Sequence, residues 1–200
     1  MSNLSEIWAI VLAAGESERM KSPKLALPFG KGTVIGNVIG NILESDIKKI
    51  VVVTGAWRDE VINAIRDLPV VECVNKNYKK GMLSSVICGL KSIPASADAA
   101  MIFQGDQPEI TPGVINSIIG EWKRRGRGIV IPLYKGKRGH PLFMEKKYFI
   151  EVPALDPDTG LRALSSKFSD DVTEVETDNK MILRDIDTKE DYLESTNKKW

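Results

Sequence analysis

Apolar runs of strand length alternate with segments of helical period along most of this chain, and no other feature restricts the fold as strongly. The runs at 7–14 (IWAIVLAA), 49–55 (KIVVVTG), 70–74 (VVECV), 99–105 (AAMIFQG) and 128–134 (GIVIPLY) are near-continuously apolar. Strands covered on both faces read this way. Between them, 33–46, 58–68, 83–93 and 111–126 carry apolar residues on neighbouring helical rows, for instance Val34, Val38 and Ile42 beside Ile35 and Ile39. Thr33 is placed as an N-cap, and Pro112 opens the fourth segment at its first helical position. The order predicts βαβ units and a mainly parallel sheet, an α/β protein of three layers with helices on both faces.

The alternation loosens after about residue 135. KGKRGHPLFM (135–144) reads as a loop running into a strand, TGLRALSSKF (159–168) as a short helix, MILRDID (181–187) as a last strand, and TKEDYL as the start of a terminal helix. No repeat or linker splits the chain, so residues 1–200 are expected to form a single domain.

Charge and cysteine usage narrow the function. Lysine and arginine total 28 against 27 aspartates and glutamates, which gives no field for an extended polyanion, and nucleic acid is not expected as a partner. Cys73 and Cys88 lack C-x-x-C spacing and there is a single histidine, so the expectation is two buried, reduced thiols rather than a zinc site. No apolar run reaches the roughly eighteen residues of a membrane span. The N-terminus lacks the basic region of a signal peptide. Both point to a cytoplasmic protein.

Ligands of open α/β sheets sit at the carboxyl ends of the strands. The first such end, IVLAAGESERMKSPKLALP (10–28), nearly spells a phosphate-cradling P-loop, but Met20 stands where its second glycine belongs and carries a Cβ that would crowd the backbone wrap. A turn of small residues remains, Ala13, Ala14 and Gly15. Arg19 and Lys24 follow, five residues apart, both able to bear on one anion.

The second end, FQGDQPEITP (103–112), sets Asp106 after an apolar strand, where a carboxylate meets a hard cation such as Mg²⁺ or simply occupies a turn. Further on, Asp185 and Asp187 flank Ile186 and would share one face of a strand. Asp187 equally reads as the cap of the terminal helix, with Glu190 three residues on. Gly81, Ser84 and Ser85 open the third helix, where small groups approach a base or ribose, or cap the helix. His140 lies in the irregular region.

These stretches coincide with the motifs of a known family. LAAGESERMKSPKLALP resembles the signature of the MobA-like nucleotidyltransferases and, in particular, that of its MocA branch, LAAG-x-S-x-RM-G-x-PK-LLLP. GMLSSV resembles GMSSSL, GDQPEIT resembles GDQP-x-x-T, KRGHPLF resembles RGHPVLF, and DIDTKEDY resembles DIDTPEDY, all in order. Lys21, Leu83 and Lys189 depart from the pattern, Leu83 near the presumed base pocket.

The resemblance implies a Rossmann-like nucleotidyltransferase fold and transfer of CMP from CTP to the terminal phosphate of the molybdenum or tungsten pterin cofactor. By it, Leu12, Ala13, Ala14, Gly15, Gly81, Ser84 and Ser85 hold the nucleotide, and Arg19, Lys24 and Asp106 are catalytic. Asp106 and Asp187 bind Mg²⁺, and Arg138, Gly139 and His140 meet the pterin. Client molybdoenzymes would be downstream partners. Ala14, where the GTP-using branch has glycine, favours CTP over GTP. The contrasting readings are a transferase with another phosphorylated acceptor and a carrier that binds the pterin cofactor without chemistry.

Overall fold

In a computed structural model that describes residues 5–126 and 128–196, the apolar runs lie side by side in one sheet. The elements are β1 (Ile7–Ala13), a hairpin of β2 (Pro28–Phe29) and β3 (Gly32–Thr33), α1 (Val34–Glu44), β4 (Lys49–Thr54), α2 (Arg58–Ile65), β5 (Val71–Val74) and α3 (Met82–Ser92). Then follow β6 (Ala99–Gln104), α4 (Pro112–Arg125), β7 (Ile129–Tyr134), β8 (Lys137–Arg138), β9 (Leu142–Glu145), α5 (Leu161–Lys167), β10 (Val172–Glu176) and α6 (Lys189–Thr196).

The strand order is β10-β7-β9-β6-β1-β4-β5, with the two-residue β8 paired to β7. Pairs β1–β4, β1–β6, β4–β5 and β7–β10 are parallel, whereas β9 runs antiparallel to both β6 and β7. The mainly parallel α/β sheet expected from the alternation is present.

Two faces of β1 carry two cores. Ala9, Val11 and Ala13 pack with Ile35, Ile39 and Ile42 of α1 and with Ile115 and Ile118 of α4. Ile10, Leu12 and Ala14 pack on the other side, with Leu83 and Val86 of α3 and Leu164 of α5. The period-two alternation of a strand and the 3.6 period of its covering helices therefore meet in three layers. Thr33 and Thr111 cap α1 and α4, accepting from the amides of Gly36 (3.1 Å) and Val114 (3.5 Å).

The chain runs from β1 outward through β4 and β5, then returns to the other side of β1 as β6. Strand order reverses there, and the carboxyl ends of β1 and β6 diverge into loops that leave a crevice. Two glycines let backbones close against the tip of β1. Gly105 donates to the Leu12 carbonyl at 3.0 Å, and a Cβ on Gly105 would sit 2.7 Å from that oxygen. A Cβ on Gly55 would meet the Ala14 carbonyl at the same 2.7 Å.

Several expectations are corrected. Residues 181–187 are not a strand: Lys180–Leu183 form a short 3₁₀ turn, and the following segment is tied to the sheet by the Ile186 amide bonding to the Asp106 carbonyl at 3.0 Å. Ile182 and Ile186, four apart, are the buried positions, a spacing that suits a turn plugged into the core. A strand at 172–176 that the pattern did not predict pairs with β7 at the sheet edge. Cys73 and Cys88 are disulfide-bonded, because α3 packs over β5 and presents one sulfur to the other. Among the described residues no helix is long and apolar enough to cross a membrane.

Two glycines separate packing from propensity. A Cβ at Gly89 in α3 would collide with Ile10 Cγ2 and crowd Val53, whereas at Gly40 in α1 it would meet nothing within 4 Å. In urea unfolding, Gly89→Ala is expected to lower stability by about 1–3 kcal/mol and Gly40→Ala to raise it by about 0.5–1 kcal/mol.

Candidate active site at the strand ends

A cavity of about 350 Å³ opens over the reversal point. It is lined by Leu12, Ala14, Gly15, Arg19 and Lys24 from the first loop, Gly81 and Ser85 from the start of α3, Asp106 after β6, and Asp187 from the C-terminal segment. Most of the residues singled out in the sequence thus meet in one place, although Arg19 and Asp187 lie 168 positions apart.

The first loop is shaped by its sequence. Met20 is buried in the core and anchors the loop where a P-loop would need bare backbone. Lys21 adopts a left-handed conformation (φ 51°) at the position where the resembled pattern has glycine, and its amide bonds to the Ser17 carbonyl at 2.7 Å. Pro23 then opens a short 3₁₀ turn that carries Lys24 inward.

Lys24 is the centre of the charge network. Its Nζ donates to Asp106 Oδ2 at 2.6 Å and to Asp187 Oδ1 at 2.8 Å. Arg19 Nη2 reaches Asp187 Oδ2 at 2.5 Å. The Lys24 side chain is 12% exposed and that of Asp106 16%, against 67% for Arg19. Burial pulls the Lys24 pKa down, but the neighbouring Asp106 and Asp187 carboxylates outweigh it and hold the ammonium above the ordinary lysine value. The Lys24 ammonium thus lies between the two carboxylates.

Asp106 Oδ1 is buried and has no hydrogen-bond partner. An unpaired carboxylate oxygen beside a second carboxylate fits a hard divalent cation that takes its remaining ligands from phosphate and water. Among the described residues there is no ready cage of three or more His, Cys, Asp or Glu.

Some expected residues stand elsewhere. The Ala13 side chain faces the opposite core. Ser84 accepts from Asn75 Nδ2 at 2.9 Å and lies against the carbonyls of Asn77 and Gly81, so it secures the helix start outside the cavity lining. Leu83 turns into the core and does not line the cavity.

Asp185 and Asp187 do not share a face: Asp187 meets Lys24, while Asp185 Oδ1 accepts from Gln107 Nε2 at 2.7 Å in a neighbouring cavity. The α6 cap is Thr188, whose hydroxyl accepts from the Asp191 amide at 3.1 Å while Asp191 Oδ2 accepts from the Thr188 amide at 2.8 Å. Asp187 and Glu190 therefore do not form that box.

Arg138, Gly139 and His140 line the neighbouring cavity. Arg138 is paired to Glu174 at 2.6 Å, and Gly139 is packed so tightly on the Ile182 backbone that a Cβ would collide with it. Burial lowers the His140 pKa, favouring neutral imidazole.

The sequence reading missed Gln104 and Tyr78, which line the first cavity, and Asn75, which is buried and donates to both Ser84 and Ser85. Asn75 and Gln104 are polar residues ending apolar strands, the same signal that identified Asp106.

A family described as the MobA-like NTP transferase domain matches residues 9–172. The chain is 29% identical over 191 residues to a molybdenum cofactor cytidylyltransferase of Escherichia coli (strain K12), covering 95% of each chain. A probable molybdenum cofactor guanylyltransferase of Natranaerobius thermophilus is 32% identical over 137 residues, 68% of this chain and 64% of that one. Among solved structures, Rv0371c of Mycobacterium tuberculosis H37Rv superposes with a TM-score of 0.85 at 25% identity, covering 97% and 99% of the two chains. A nucleotidyl transferase from Methanothermobacter superposes at 0.83 with 23% identity over 96% of each.

The burial contrast yields a stability test without ligand. Lys24→Ala leaves Asp106 and Asp187 facing each other and is expected to cost about 2–3 kcal/mol in urea unfolding. Arg19→Ala, removing a largely exposed partner, should cost about 0.5 kcal/mol or less.

Proposed function

The chain belongs to the MobA-like NTP transferase family, and on that premise we propose that it transfers CMP from CTP to the terminal phosphate of a molybdenum or tungsten pterin cofactor, releasing pyrophosphate. It is a nucleotidyltransferase. The observation that carries the finer reading is the end-to-end match to a cytidylyltransferase, 95% of both chains, where the guanylyltransferase match spans about two thirds. Ala14, which lines the cavity, supports it, since the GTP-using branch of the resembled pattern has glycine there.

In this reading the triphosphate enters over the β1 tip, with the small residues Ala14 and Gly15 allowing close approach. An oxygen of the acceptor's terminal phosphate forms a bond to the α-phosphorus. The bond from that phosphorus to the bridging oxygen breaks, and its electron pair leaves with pyrophosphate. Lys24 and Arg19 offset the negative charge that accumulates on the departing group. The attacking phosphate is already anionic, so no strong general base is required. Asp106 and Asp187 would hold Mg²⁺, which supplies further positive charge to the phosphates when bound.

The test is pyrophosphate release by the purified protein with Mg²⁺ and freshly prepared metal-loaded pterin cofactor, offering CTP, GTP, ATP and UTP separately. A CTP-selective, cofactor-dependent signal is expected, lost on chelation and restored by Mg²⁺. GTP selectivity would make it a guanylyltransferase. Tight cofactor binding with no nucleotide consumed would make it a carrier. Asp106→Ala is expected to abolish turnover and Lys24→Ala to slow it by about 10²–10³; near wild-type rates in either would overturn the assignment.

A further inference from the structure

The loop that follows β4 grips the loop that follows β1. The Ala56 amide donates to the Ala14 carbonyl at 3.2 Å, and the indole Nε1–H of Trp57 donates to the Glu16 carbonyl at 2.9 Å. Trp57 is half-buried, with its ring packed against the core, and this fixes the reach of its N–H. Alternate carbonyls of the first loop are thus both taken up by the same neighbour.

The planar trans peptide turns that grip into a direction. Across each such unit the C=O and the following N–H point opposite ways. Holding the Ala14 carbonyl toward residues 55–57 therefore turns the Gly15 N–H away from them, and holding the Glu16 carbonyl turns the Ser17 N–H away likewise. The cavity lies on the side they turn to. Gly15 and Ser17 line it together with Gln104 and Asp106 from the β6 side, whereas Gly55, Ala56 and Trp57 do not. Ser17 has a left-handed φ of 53°, the kind of backbone turn that gathers N–H groups into an anion-binding concavity. Among the described residues, neither amide has an acceptor within the protein.

The two carbonyls differ in what holds them. That of Ala14 is held by backbone, which no change of side chain removes. That of Glu16 is held, among the described residues, by one side-chain N–H. We propose that Trp57 is a positioning residue of the nucleotide site: its indole fixes the peptide unit between Glu16 and Ser17 so that the Ser17 N–H, beside that of Gly15, faces the cavity as a donor to the phosphates. Without the indole that unit is free to rotate, and a rotated unit presents a carbonyl oxygen to an anion where a donor stood. The assignment rests on the reading of this cavity as a nucleotide site and adds to it a residue outside the cavity lining.

The test follows the backbone amide and indole N–H resonances of the isotope-labelled full chain by NMR during titration with inorganic tripolyphosphate. This probe carries the anionic part of a nucleoside triphosphate and neither base nor acceptor. In the wild type the Gly15 and Ser17 amide protons are expected to move downfield together along one saturating curve. Trp57→Phe keeps an aromatic ring and removes the donor. It is expected to abolish the Ser17 shift, to leave the Gly15 shift, and to weaken tripolyphosphate about tenfold, the loss of one hydrogen bond to a charged group. A ring that served packing alone would change both amides or neither. Overturning results are no saturable binding by the wild type, binding that leaves its Ser17 amide unmoved, or a Ser17 shift and an affinity that Trp57→Phe leaves unchanged. The wild-type titration stands whether or not the variant folds. Pyrophosphate release from CTP together with an unmoved Ser17 amide would keep the proposed activity and remove this role of Trp57. Both wild-type shifts, with that of Ser17 lost in Trp57→Phe, in a protein that consumes no nucleotide would keep the role and remove the activity.

Discussion

The reversal of strand order beside β1 is the constraint on which the site depends. A parallel sheet built outward in one direction closes each loop over its neighbour, but here β4 lies on one side of β1 and β6 on the other. Loops that leave adjacent strand ends in opposite directions cannot cover the gap between them. The gap is kept narrow by Gly55 and Gly105, whose missing side chains let backbone approach the Ala14 and Leu12 carbonyls. Asp106 inherits its place from that contact: with Gly105 bonded to Leu12, the next residue in the chain has to emerge at the cavity floor. Its own carbonyl then receives the Ile186 amide, which brings the C-terminal segment and Asp187 to the same floor.

Charge balance explains why such a floor is stable without ligand. Asp106 and Asp187 face one ammonium, and Arg19 closes the outer side of Asp187. Two positive and two negative groups cancel, and the partly buried pair is stabilised more strongly per contact than the exposed one because water screens it less. The same arrangement is exchangeable. On the proposed reading, a polyphosphate would offer Lys24 and Arg19 new anionic partners and a divalent cation would offer the carboxylates a new cation, so that each group would change partner without becoming unpaired in a dry site. Arg19, two-thirds exposed, is free to move first. Lys24, set between two carboxylates, is the group whose charge the fold fixes.

What could be read from the chain follows from what leaves a local trace. β1, β4 and β6 are apolar on both faces because helices cover both, and α1 and α4 carry caps and an apolar face within a dozen residues. Asp106 was legible for a related reason, as a polar residue ending an apolar run. The segment at 181–187 misled because Ile182 and Ile186 belong to a turn plugged into the core, while Met181, Ile182 and Leu183 together imitate a strand. β10 left little trace because an edge strand is half-exposed, and VTEVE has too few apolar residues to stand out. The Cys73–Cys88 disulfide depends on how α3 is laid against β5, which no spacing rule encodes. The tie between Gln107 and Asp185 spans 78 positions and exists only once the chain is folded.

The walls on the two sides of the reversal point differ in kind of structure. On the side of β1, β4, β5 and α3 the pattern is regular, and the wall is backbone, small side chains and the anchored loop around Met20. Such a wall tolerates little change, since a Cβ at Gly55 or Gly89 already collides with its neighbour. On the other side β9 inserts antiparallel between β6 and β7, and the wall comes from a loop, a 3₁₀ turn and the short helix α5. Leu164 and Ile182 anchor those elements in the core, and an exposed side chain such as Arg162 is the one there that can be exchanged at small cost. In this chain Lys24 stands on the wall of the β1 side, and Asp106, after β6, faces it across the reversal point.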